Sequence, residues 1–198
     1  MRQRIVQAGL IAMALGLAGV VAFEIHALET PATASGSFMK LGGPFTLVDQ
    51  HGRPVTDRDL KGKPTVMFFG FTYCPEVCPT TLAALTAWMK ALGPDADRLN
   101  VVYVTIDPER DTPKQLALYL SSFDPRIRGL TGTPAQIAQI AHEYGVYYQK
   151  VPLAGGGYTM DHSSAVYLMD ARGGFQGVIG YQEPARQALA QLRALVRT

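Results

Sequence analysis

Blocks of apolar and polar residues along this chain separate into strand-like and helix-like lengths. Pro64 through Phe71 is an apolar run rich in strand formers, the pattern of a strand buried on both faces. Leu99 to Ile106 repeats that pattern. Phe45-Thr46-Leu47-Val48 predicts a strand entering the turn Asp49-Gln50-His51-Gly52. Leu82, Leu85, Trp88, Met89 and Leu92 fall at helical spacing, and Gly93-Pro94 stops that helix. Further helices are predicted from Pro113 to Phe123 and from Pro134 to Tyr144, with Thr112 and Thr133 as N-caps. Ser164 to Met169 and Phe175 to Tyr181 alternate like paired strands around Asp170-Ala171-Arg172-Gly173-Gly174, and a last helix runs from Pro184 to Val196. This order is an α/β plan with a mixed central sheet flanked by helices. No internal repeat interrupts it.

The N-terminus follows another pattern. Arg2 and Arg4 precede an uncharged, mostly apolar run from Ile5 to Phe23, closed by Glu24. At ~1.5 Å per residue such a run reaches roughly 28 Å, the hydrocarbon thickness of a bilayer. Positive charge before it and acids after it (Glu24, Glu29) predict a single-pass anchor with the rest of the chain exported to the periplasm. The rival reading is a cleaved signal peptide, with Ala32-Thr33-Ala34 as a small-residue cleavage site. Its apolar stretch would ordinarily be shorter, about 7–15 residues. No cysteine follows the run to carry a lipid. The expected organisation is an anchor or signal over residues 1–28, a flexible Ala/Thr/Ser/Gly-rich tether over 29–43, and one domain over 44–198.

Composition narrows the function classes. The 198 residues suit one domain, and 47% hydrophobic content provides a core. A net charge of +2 without a basic stripe argues against nucleic acid as a partner.

The only two cysteines, Cys74 and Cys78, stand four positions apart directly after the first buried strand, in Thr72-Tyr73-Cys74-Pro75-Glu76-Val77-Cys78-Pro79. On a helical turn that spacing puts both sulfurs on one face. A helix N-terminus would favour the thiolate, the form that binds metal or attacks disulfides. Pro79 is tolerable only near a helix start. A structural disulfide would close a loop too short to stabilise much. A redox pair or a metal site remains.

Of four histidines, His26, past the apolar run toward the tether, and His51, in a polar turn, read as solvated bystanders, while His142 falls in a predicted helix and reads as a surface or partly packed residue. His162 differs, following Gly155-Gly156-Gly157 on a predicted loop just before a strand, where a side chain can be carried into a site. Asp161 beside it is a candidate to orient the loop or act electrostatically. By spacing alone His162 is more readily read as structural than as a ligand. Two thiolates and one imidazole would make a soft set suited to copper(I), and able to hold copper(II) with an added weak ligand. Structural zinc wants four ligands and an iron–sulfur cluster more cysteines.

Three segments together resemble the Sco/SenC family. They are Gly70-Phe71-Thr72-Tyr73-Cys74-Pro75-Glu76-Val77-Cys78-Pro79-Thr80-Thr81, Val104-Thr105-Ile106-Asp107-Pro108-Glu109-Arg110-Asp111-Thr112-Pro113 and Asp161-His162-Ser163, within a match from about Phe45 to Val196. The resemblance implies a thioredoxin-like fold with an extra hairpin and helix. It implies ligation of one copper per chain by Cys74, Cys78 and His162. It also implies a role in cytochrome c oxidase maturation, by delivering copper to the CuA centre of subunit II or by reducing that centre's cysteines. Other copper chaperones or thioredoxin-like reductants would be its exchange partners. Asp107 and Asp111 belong to the same family pattern and either shape the site, meet a partner or stabilise their loop.

A metallochaperone, which need not be a catalyst, would use all three donors, and a membrane tether would raise its concentration near a membrane oxidase. A thiol–disulfide reductase would use the cysteines alone, with a motif one residue longer than the usual spacing. A peroxidase would want a cation within the cysteine motif, which has none.

Overall fold

The computed structural model describes residues 41–198, so the predicted anchor and most of the predicted tether lie outside the described residues. Among the described residues no helix is long and apolar enough to cross a membrane. The described residues form nine strands: β1 (Thr46–Asp49), β2 (Pro54–Thr56), β3 (Thr65–Gly70), β4 (Asn100–Thr105), β5 (Ile127–Thr131), β6 (Tyr148–Pro152), β7 (Tyr158–His162), β8 (Val166–Met169) and β9 (Phe175–Ile179). The helices are α1 (Asp57–Leu60), α2 (Val77–Leu92), α3 (Pro113–Leu120), α4 (Pro134–Glu143) and α5 (Ala185–Leu195), with a 3₁₀ segment at Gly93–Arg98.

Seven strands make one mixed sheet in the order β2-β1-β5-β4-β3-β8-β9. β3, β4 and β5 run parallel, and β1, β8 and β9 are antiparallel to their neighbours. The unit β3–α2–β4 followed by the unit β8–β9–α5 builds the thioredoxin-like core, and α2 packs against α5. Every residue of β3 is buried, as its apolar run predicts. Side chains such as Met67, Phe68 and Phe69 are fully enclosed, each contributing about 1.5–3 kcal/mol of burial free energy.

The predicted N-caps form: Thr112 Oγ1 accepts from Gln115 N at 3.2 Å, and Thr133 makes a capping box with Gln136. Strands β2, β5, β6 and β7 are additions to the sequence-based plan. β5 carries Arg128 and Gly129 in mid-strand, which breaks the apolar run. α3 lies over Gly129, where a methyl would meet Leu120 Cδ1 at 2.6 Å and force that side chain to shift. β6 and β7 form a separate two-stranded ribbon, inserted between α4 and β8, with Gly155, Gly156 and Gly157 in its tip. His162 is therefore the last residue of a strand, paired with Tyr148, instead of a loop residue as its glycine-rich approach suggests.

Candidate metal centre

β3 ends at Gly70, the chain turns, and α2 begins at Val77. Cys74 sits in that turn, its N–H donating to Phe71 O at 3.2 Å, and Cys78 is in the first turn of α2. The two sulfurs are thus delivered by a helix start instead of by two turns of one helix. The Cys78 backbone N–H donates to Cys74 Sγ at 3.3 Å, so an unpaired helix-terminal N–H and the positive end of the dipole both face that sulfur.

His162 enters from the end of β7. Its Nδ1 lies 2.8 Å from Ser163 O. A carbonyl only accepts, so Nδ1 carries the hydrogen and Nε2 keeps a free lone pair. That Nε2 is 3.6 Å from Cys78 Sγ. The ring stands edge-on to Phe71, with centroids 5.8 Å apart, and leans on Phe68. Ser163 extends the ribbon, its N–H donating to Tyr147 O and its Oγ accepting from Tyr147 N.

The ligand atoms of Cys74, Cys78 and His162 all lie within 4.8 Å of one another. A thiolate and an imidazole bound ~2.3 and ~2.0 Å from one ion, at trigonal to tetrahedral angles, stand roughly 3.5–3.8 Å apart. The Cys78–His162 separation of 3.6 Å meets that requirement without rearrangement. The donor set is soft and three-coordinate, which fits copper(I).

The two thiols differ. The hydrogen bond from Cys78 pulls the Cys74 pKa down to about 4 against the opposing effect of burial, helped by His162 and the backbone N–H groups of Cys78 and Glu76. Cys78, fully buried, is pushed far above the ordinary cysteine range by its bond to the Cys74 sulfur and by its burial. The two are thus pulled in opposite directions, half-buried Cys74 toward the thiolate and buried Cys78 toward the thiol.

Asp111 and Asp107 lie buried beneath the cysteine loop. Asp111 accepts from Thr72 N at 2.9 Å, Thr72 Oγ1 at 2.6 Å and Thr105 Oγ1 at 2.7 Å, tying the residues before Cys74 to the end of β4. Asp107 accepts from Tyr158 Oη at 2.9 Å and pairs with Arg110. Asp161 is exposed, and strand alternation sends it to the opposite face of the ribbon from His162. His51 and His142 are exposed, apart from this centre.

Arg110 is the residue that the sequence reading passed over. Its Nη1 donates to Tyr158 O at 2.9 Å, and its guanidinium carbon lies 3.8 Å from the Tyr158 ring centroid and 4.7 Å from that of Tyr73. One side chain thereby clasps the ribbon bearing His162, the loop bearing Asp107, and the tyrosine next to Cys74. Its signal was an arginine three positions after a loop aspartate, overshadowed by the two acids around it.

A family model described as SCO1/SenC matches residues 33–197. The mitochondrial protein SCO2 of Saccharomyces cerevisiae is 37% identical over 173 residues, which cover 85% of this chain and 57% of the yeast protein. The chain thus spans little more than half the length of that relative. The solved structure of Bradyrhizobium japonicum ScoI with copper bound is 49% identical, covers 78% of this chain and 99% of its own, and superposes with a TM-score of 0.74. BsSco, a member of the Sco family of cytochrome c oxidase assembly proteins in which a disulfide switch has been identified, is 25% identical, covering 79% of this chain and 94% of its own at a TM-score of 0.66. With most of its length matched by the family model, the chain belongs to the SCO1/SenC family.

Proposed function

We propose that this protein is a copper metallochaperone of cytochrome c oxidase assembly, holding one copper ion with Cys74, Cys78 and His162 and passing it to the CuA site of subunit II. The observation that carries this reading is the convergence of two sulfurs and one free imidazole lone pair within 4.8 Å. Copper in the Bradyrhizobium relative and the assembly role of the BsSco family support it. Three-coordination leaves room for an acceptor's thiolate or imidazole to join before a donor leaves. Cys74, half-buried, is the donor an acceptor reaches first, and fully buried Cys78 is the last to release. Residues 1–28 would anchor the domain in the cytoplasmic membrane, facing the periplasm, where an oxidase partner is also confined.

The asymmetry of the thiols favours a second reading, a disulfide reductase. Cys74 thiolate attacks a partner disulfide, forming a mixed disulfide and expelling one partner thiolate. Cys78 then loses its proton and attacks the Cys74 sulfur, expelling the second thiolate. The products are a Cys74–Cys78 disulfide and a partner dithiol, which takes one proton from Cys78 and one from water. His162 has no necessary part in that sequence.

Anaerobic copper(I) titration of the reduced, detergent-solubilised chain separates the two. One copper per chain is expected, abolished in Cys74→Ser/Cys78→Ser and weakened about 10-fold or more in His162→Ala. An absence of copper binding, with disulfide reduction intact in His162→Ala, would give the function to the reductase.

A further inference from the structure

Beside Cys78 stands a phenol that the copper reading does not use. Tyr103 lies on β4, register partner of Phe68 on β3, and is fully buried. Its hydroxyl makes no hydrogen bond. A buried hydroxyl without a partner is destabilising, and phenylalanine would fill the same space without that penalty. The hydroxyl nonetheless faces something. Gly70, at the end of β3, leaves a gap in which a methyl would sit 2.7 Å from Cys78 Sγ and 2.9 Å from Tyr103 Oη. Sulfur and phenol oxygen border the same gap over that bare α-carbon.

A protonated sulfur is a weak acceptor and a thiolate a stronger one. Metal binding changes the sulfur into a thiolate in a place that water does not reach. An anion buried there requires donors. The Tyr103 hydroxyl, which borders the same gap at Gly70 as the sulfur, is positioned to supply one. We propose that Tyr103 donates a hydrogen bond to the Cys78 sulfur when that sulfur becomes a metal-bound thiolate, and that this bond sets how tightly the centre holds its ion. The native ion being copper rests on the function proposed above; the bond itself requires only a thiophilic metal. Tyr103 is thus a positioning residue, acting on the ion only through the Cys78 sulfur.

The test uses the full chain in detergent, reduced, as unmodified protein, Tyr103→Phe and Tyr119→Phe. Tyr119 carries the other buried, unpaired phenol, its ring 5.9 Å from that of Tyr103, and serves as the control. Each protein is titrated anaerobically with copper(I) against a competing chelator and with cadmium(II), and each is melted without metal. Tyr103→Phe is expected to lose about 10- to 100-fold in affinity for both ions. Its metal-free form should melt no lower than the unmodified protein, because the substitution removes an unpaired polar group. Tyr119→Phe should keep its affinity for both. This opposition, weaker binding without lost stability, is one that mere damage to the core would not produce. Unchanged affinities in Tyr103→Phe, or an equal loss in Tyr119→Phe, would overturn the proposal. Cadmium binding that depends on Tyr103 without any copper binding would uphold the phenol's role and remove the copper reading instead.

Discussion

At the scale of single residues, the centre depends on carboxyl groups that never reach it. Asp111 is fully enclosed and receives three hydrogen bonds from Thr72 and Thr105. Burial raises its pKa despite those bonds. A carboxyl raised in the folded state contributes stability that is fully present below its unfolded value of about 3.9 and is lost as pH rises through the folded value. Asp111→Asn, which cannot ionise, should therefore improve relative to the unmodified protein between about pH 4 and neutrality. Asp111→Ala should lose about 2–4 kcal/mol throughout, because it strands the buried Thr72 N–H and the hydroxyl of Thr105. Urea unfolding at both pH values measures this, and a deficit of the Asn variant that widens toward neutrality would contradict it. These acids were singled out in the sequence because their loop resembles the Sco/SenC pattern. Their task was not legible there, since a donor such as Thr72 lies 39 positions away.

Whole elements show where hydrophobic patterning works and where it fails. β3, β4 and α2 were readable because burial on two faces, or on one helical stripe, leaves a periodic trace. The β6–β7 ribbon leaves almost none: Tyr148–Pro152 is exposed along nearly its whole length, and its partner strand buries only Met160. The ribbon is held by polar and stacking contacts, chiefly those of Arg110 with Tyr158, and by the pair Lys150–Glu109. The surface pair contributes little. Arg110, in contrast, neutralises an Asp107 carboxylate that is almost wholly buried. Arg110→Ala should cost about 3 kcal/mol by stranding that charge. It should also speed amide exchange in Tyr158–His162 while β3 stays protected, since the ribbon would open locally. Arg110→Lys keeps the charge but loses the planar fork and the stacking, so it should recover less than half of the loss. Equal exchange across β7 in all three proteins would show that the ribbon is held by something else.

The molecule as a whole solves a problem that the two cysteines cannot solve alone. Cys74 and Cys78 are four positions apart at one helix start, so an ion held only by them constrains nothing beyond that turn. His162 is 84 positions from Cys78 and arrives on a ribbon outside the main sheet. An ion bound by all three donors therefore fastens the ribbon to the core at the carboxyl end of β3, next to the loop that follows β4. Because the unfolded chain lacks this preassembled centre, binding must stabilise the fold, by about 2.7 kcal/mol when free ion is 100-fold above its dissociation constant. For a domain of this size that corresponds to a rise in melting temperature of roughly 5–10 °C. Each 10-fold loss of affinity removes about 1.4 kcal/mol of the effect at the same free copper concentration. His162→Ala should accordingly keep about half of the shift or less, and Cys74→Ser/Cys78→Ser none. Anaerobic thermal melts of the reduced proteins at one buffered copper(I) concentration read this directly. A shift in His162→Ala equal to that of the unmodified protein would mean that the ion sits on the helix start alone and that the ribbon serves another purpose. A shift confined to proteins with all three donors would make the ribbon the element that copper closes onto the core, and its release the step that an acceptor must bring about.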